Sequence, residues 1–148
     1  MINRKGFTLI ELLVVIGILA VLLAITLIAV NPGEQLEKSE DTQRRADINS
    51  TLNAINQYMI DNNGSVPSGI GASSTPISST GADICAVLVP QYIAALPQDP
   101  AETSANGDGV DSTECGAAYA TGYSVSQNSN RVTVSATAAD GTTITVTR

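Results

Sequence analysis

Residues 1–30 read MINRKGFTLIELLVVIGILAVLLAITLIAV, a short basic leader that ends at Gly6-Phe7 and then a nearly unbroken apolar run. As a helix, Phe7 to Val30 would extend roughly 36 Å, enough to cross a hydrocarbon layer about 30 Å thick with some tilt. Arg4 and Lys5 stand before the run with no acid near them. The excess of cations on that side places Met1 in the cytoplasm and the rest of the chain, after Val30, outside. The run carries a single charge, Glu11. A carboxylate inside a membrane helix costs about 2.5–3.5 kcal/mol at the centre, so Glu11 calls for a cationic partner. Nothing basic follows it until Lys38, and Lys5 lies six residues back, off its helical face. Cleavage between Gly6 and Phe7 would create a new α-amino group one helical turn from Glu11, in the same subunit or in a neighbour.

These residues carry a family resemblance. KGFTLIELLVVIGILAVL resembles the N-terminal signature of type IV pilins and of their relatives, the pseudopilins of type II secretion and competence systems. The resemblance implies cleavage by a prepilin peptidase after Gly6 and N-methylation of Phe7. It also implies a role for Glu11 in aligning subunits of a helical filament. The helix ending in YMIDNNGSVPSG, the run LVPQYIAALPQDP and the C-terminal β-region are similar to bacterial pilins and to the major pseudopilin. An assembly ATPase and a membrane platform protein are the further partners implied. Three other readings compete. A secretion signal would have a shorter apolar run and a small-residue cleavage site after it. A plain single-pass anchor fits the length and leaves Glu11 unexplained. A lipoprotein lacks its cysteine after the leader.

The expected fold is α+β: a long N-terminal helix packed on a small antiparallel sheet. Residues 1–6 form the leader, 7–30 the apolar helix, 31–64 an amphipathic helix and 65–148 an exterior head. Asn31-Pro32-Gly33 predicts a break, because proline disfavours the α region in the residue before it. The resembled family commonly has a proline at the position of Ile28, whereas here it stands four residues later. Glu34/Lys38, Glu40/Arg44 and Asp41/Arg45 are acid-to-base pairs at i, i+4 and predict an exposed helix surface. Ile48, Leu52, Ile55 and Met59 step by four, three and four, which draws one apolar stripe. The helix should stop near Asn62-Asn63-Gly64.

Beyond it, residues 65–83 are rich in Ser, Gly and Pro and read as surface loop. Ala82–Leu88 reads as a short helix, and Tyr92, Ile93 and Leu96 as core anchors. Three strands should follow, around Tyr123–Val125, Val132–Ala136 and Ile144–Val146, with a polar turn at Gln127–Asn130 and a tight one at Asp140-Gly141.

Aromatic residues make up only 3 % of the chain, so the head has a thin core and needs a staple. Cys85 and Cys115 are the only cysteines, and an exterior location favours a disulfide between them. A second staple is suggested by residues 99–115, where Asp99, Glu102, Asp108, Asp111 and Glu114 gather without a base. Asn106-Gly107-Asp108-Gly109 resembles the centre of an EF-hand loop, although Ser104 and Cys115 occupy the positions of its terminal acids. Asp99, Asp108, Asp111 and Glu114 are therefore candidate Ca²⁺ ligands, with a solvated acidic turn as the competing reading; no other cofactor is expected.

Enzymatic chemistry has no footing. The chain has no histidine, phosphate loop, nucleophile elbow or zinc spacing. A formal net charge of −7 argues against direct nucleic-acid binding. The expectation is a structural subunit of a type IV pilus-like filament, a homo-oligomer held in the membrane before assembly. The alternatives are a type II secretion pseudopilin acting as a piston and an anchored exterior protein that does not polymerise.

Overall fold

A computed structural model describes residues 6–102 and 109–148. The chain divides into two compact units, Met1–Glu37 and Lys38–Arg148. Residues 103–108 of the acidic segment, Ser104 and Asn106-Gly107-Asp108 among them, fall outside the described residues.

In the first unit, α1 runs Leu9–Val30 and none of its residues is buried. It starts at Thr8, an extended N-cap at φ −84° and ψ 151°, and ends at Asn31, which turns left-handed at φ 43°. Pro32 opens α2 (Pro32–Asp61). Proline suits a first helical position because its missing N–H would have no intrahelical acceptor there. The expected break at Asn31-Pro32-Gly33 is thus a single left-handed residue between two helices.

The second unit is built on the residues of α2 from Lys38 onward. Ile48, Leu52 and Ile55 are fully buried and Met59 is half-buried, so the apolar stripe is the packing face. The helix closes with Asn63 at φ 54° and a bond from Gly64 N to Met59 O at 2.7 Å. That is a Schellman closure in which asparagine, not glycine, takes the first left-handed position.

The sheet is antiparallel in the order β1-β2-β3-β4, with β1 at Thr75–Ser78, β2 at Ala120–Asn128, β3 at Arg131–Thr137 and β4 at Thr143–Thr147. Val125, Val132 and Val134 point into one core with the α2 stripe, and Tyr123 joins them. The expected three-strand meander is β2-β3-β4. Ser129 and Asn130, both with positive φ, make its first turn, as a two-residue hairpin linking twisted strands requires.

Two expectations are corrected. The segment 65–83 is not all loop, since Thr75-Pro76-Ile77-Ser78 adds a fourth strand to β2. Pro76 hides it in the sequence and is tolerated because β1 lies at an edge, where one N–H of each alternate residue has no ladder partner. The short helix α3 occupies only Cys85–Leu88, preceded by non-helical residues from Ala82.

Candidate functional site

The segment that opens α1 is held by its own side chains. Thr8 Oγ1 accepts a bond from Glu11 N at 3.3 Å and donates to Glu11 Oε2 at 2.7 Å. Thr8 N donates to the same Glu11 Oε2 at 2.9 Å. This reciprocal capping box satisfies two donors at the start of the helix, where the helix dipole also favours a carboxylate. Sequence reasoning missed Thr8, although the spacing Thr8-Leu9-Ile10-Glu11 is the S/T-x-x-E pattern of such a box. Both bonds fall on Oε2, and among the described residues no donor reaches Oε1. Gly6 and Phe7 precede it and are exposed, Phe7 to 84 %, and a Cβ at Gly6 would meet nothing within 4 Å. Among the described residues nothing obstructs the backbone at Gly6-Phe7. Phe7, Ile10, Val14 and Val15 line a shallow apolar groove that reaches Glu11.

In the head, Cys85 and Cys115 form a disulfide with their Cα atoms 5.2 Å apart. The expected Glu40/Arg44 pair forms, but Arg44 is buried and has a further partner outside the helix. Arg44 is only 3 % exposed. Its Nε and Nη2 donate to the two carboxylate oxygens of Asp99 at 2.8 and 3.0 Å, and its Nη1 donates to Asp41 at 2.9 Å. Glu40 approaches Nη2 at 3.5 Å. Asp41 turns toward Arg44 and accepts from Ala139 N at 3.0 Å, so it does not form the expected pair with Arg45. Beside this cluster, Tyr123 donates to Asp47 at 2.8 Å. Burial raises the Asp47 carboxyl above the usual aspartate range in spite of that bond.

Asp99, a candidate calcium ligand, is thereby committed elsewhere. Its Oδ1 also accepts from Ala101 N at 2.8 Å, and its own N–H bonds to Thr121 O. Gly122 lies so close that a Cβ there would sit 2.6 Å from the Asp99 Cβ, and its φ of +79° suits glycine in any case. Asp111 Oδ1 accepts from Thr113 N and Thr113 Oγ1 at 2.7 and 2.6 Å, and those bonds hold its carboxyl below the usual range. Glu114 Oε2 accepts from Asp111 N at 3.2 Å. Asp108 is outside the described residues, and among the described residues no three His, Cys, Asp or Glu side chains group to hold a metal.

Residues 1–27 match the prokaryotic N-terminal methylation motif. Over 87 residues the chain is 36 % identical to the type IV wide pilus major component PilA4 of Thermus thermophilus, a match that covers 59 % of this chain and 65 % of that relative. The chain thus spans a little under two thirds of the relative's length. No solved structure matches it. The motif covers the leader, the Gly6-Phe7 bond and Glu11, and the similarity to a type IV pilus component extends over more than three times as many residues.

Proposed function

We propose that this protein is the structural subunit of a type IV pilus-like filament and has no enzymatic activity. A prepilin peptidase cleaves between Gly6 and Phe7 on the cytoplasmic side, Phe7 is N-methylated, and α1 holds the subunit in the membrane with its N-terminus inside until assembly. In the filament, the α-amino group of one Phe7 pairs with Glu11 of a neighbour. An assembly ATPase and a platform protein supply the work and the base for polymerisation.

The observation that carries this reading is the contrast within one helix. All of Leu9–Val30 lacks a buried residue, yet its single carboxylate is held in place by Thr8 through one oxygen, the other having no donor among the described residues. A plain anchor needs the apolar surface and has no use for the oriented charge. Lipid can cover α1, whereas only a cation brought by another chain end complements Glu11 Oε1 in an apolar setting.

The test is the N-terminal peptide mass of the protein from its native membrane, combined with the yield of sheared filaments from Glu11→Ala. A chain beginning at methylated Phe7 and a filament yield reduced at least about tenfold, or about 1.4 kcal/mol per subunit addition, are expected. A chain still carrying residues 1–6, or an unchanged filament yield from Glu11→Ala, would remove the proposal. Short periplasm-confined filaments with the same processing would assign the subunit to a secretion pseudopilus.

A further inference from the structure

The outer edge of β4 is open, and its sequence is nearly its own mirror. The bonds Val132 N to Arg148 O, Arg148 N to Val132 O and Ala138 N to Thr142 O fix which residues of this strand face β3. With the register Val134↔Val146 and Ala136↔Ile144, residues 144, 146 and 148 turn their backbone groups inward. Thr143, Thr145 and Thr147 therefore present N–H and C=O outward, and no bond fills these groups among the described residues. Natural edge strands are usually protected by proline, lysine or a bulge. β4 has none of the three. The other edge, β1, has both Pro76 and a register irregularity between Pro76 and Ser78.

We infer that β4 is a docking edge for β4 of a second copy of this chain, paired antiparallel about a two-fold axis through Thr145. Read in reverse, Thr-Ile-Thr-Val-Thr becomes Thr-Val-Thr-Ile-Thr. The two-fold therefore sets Thr143 against the partner's Thr147 and Ile144 against the partner's Val146, with hydroxyls on one face and aliphatic side chains on the other. About six backbone hydrogen bonds would form. Ile144 and Val146 are only half-buried in the single chain, so pairing covers apolar surface that the head leaves open.

Charge complements the register. Asp140 precedes the strand and Arg148 follows it. In that register Arg148 of each copy stands opposite Thr142 of the other, two residues from Asp140 and within reach of its carboxylate. Arg148 uses Nη1 on Asn53, and Asp140 uses Oδ1 on Thr142, which leaves donors and an acceptor for this contact. A parallel pairing would instead place Asp140 beside Asp140. The contact is small against the roughly 1,600 Å² of a standard interface, so it acts where many copies are displayed together. A two-fold is not an operation within a polar helical array. The pairing therefore joins heads of different filaments, or of unassembled subunits, and does not depend on the assembly role proposed for Glu11.

The test uses the full chain in detergent micelles with a short bismaleimide cross-linker, Cys85–Cys115 remaining paired. Thr143→Cys and Thr147→Cys copies are expected to cross-link when mixed and not alone, because a 143–143 pair would be offset by four residues, about 14 Å along the strand. Adding Thr145→Pro to both should abolish the product, since it removes an outward N–H that the fold does not use. Thr145→Lys, which sets like charges opposite each other, should do the same. No product from the mixture with native circular dichroism, product from either variant alone, or product that survives both blocking substitutions would each overturn the inference; the first would leave the edge to a strand of another protein.

Discussion

Replacing Asp99 with asparagine should lower the stability of the head by about 3 kcal/mol, because it breaks a desolvated ion pair while leaving its cation in place. The Arg44 and Asp99 side chains are 4 % and 10 % exposed, and both carboxylate oxygens are engaged by the guanidinium. The substituted side chain can keep one acceptor for Arg44 Nη2 and Ala101 N. Its amide nitrogen would then face Arg44 Nε, donor against donor, across a separation of 2.8 Å. Breaking a buried pair costs about 3–5 kcal/mol. The lower end applies here because Asp41 and Glu40, at 20 % and 33 % side-chain exposure, still face Arg44 and water reaches them. At roughly 4 °C per kcal/mol for a unit of this size, the midpoint should fall by about 12 °C. Near-ultraviolet circular dichroism of the full chain in detergent reads this directly, since Tyr119 and Tyr123 are both core residues of the head and the chain has no tryptophan. A fall of less than about 4 °C would mean that Asp99 contributes under 1 kcal/mol and that the pair is not what fastens this segment.

The alkaline limb of stability should be steep. Burial, reinforced by Asp83 and Asp47 as hydrogen-bond partners, raises the hydroxyls of Tyr119 and Tyr123 well above the ordinary tyrosine range. Their folded forms hold the proton after unfolded tyrosine, at about pH 10, has begun to lose it, so their contribution is complete below that pH and is lost as pH rises above it. Each tyrosine adds at most about 1.4 kcal/mol per pH unit there. Melting from pH 9 to 11 should show Tyr119→Phe with a shallower fall than the parent, and an identical slope would refute the assignment. Reducing Cys85–Cys115, which closes a loop of sequence separation 30, should cost roughly 3–4 kcal/mol on the chain-entropy account. The double Cys→Ser variant should melt about 12 °C lower, and a midpoint within 4 °C of the parent would show that the staple is dispensable.

What is legible in the sequence is periodic and local. The α2 stripe and the alternation of β3 and β4 each repeat at the period of the element they form, and the α1 run is apolar almost throughout, so a window of a few residues suffices. β1 has four residues with a proline among them, and its only justification is β2, more than forty positions later. Arg44 misleads for the same reason. Its neighbours at 40, 41 and 45 supply a complete pattern of solvent-exposed pairs, while the partner that buries it stands 55 positions away. Asp99 reads as one of several acids awaiting a cation, although that cation is already in the chain. Thr8 is the opposite case: its capping pattern is wholly local, but the charge at Glu11 points the reading toward an intermolecular partner and away from the residue three positions before it.

Arg44 also continues the stripe, one step of four before Ile48, and so occupies a position where the pattern calls for an apolar residue. An aliphatic side chain there could fill the volume, and exchanging a buried ion pair for apolar groups is often neutral or stabilising. What the aliphatic pair could not do is choose a partner. The planar fork meets both oxygens of one carboxylate, and that carboxylate sits on a segment bonded through Asp99 N to Thr121 O at the start of β2. The pair therefore sets the register of residues 97–101 against both the helix and the sheet. Arg44→Met with Asp99→Leu should then recover most of the stability that either single variant loses, giving a coupling of about 2 kcal/mol. Amide exchange at position 99, whose N–H bonds to Thr121 O in the parent, should nevertheless be faster in the double variant. If exchange there stayed as slow as in the parent, packing alone would position the segment, and the buried charge would have no specifying role.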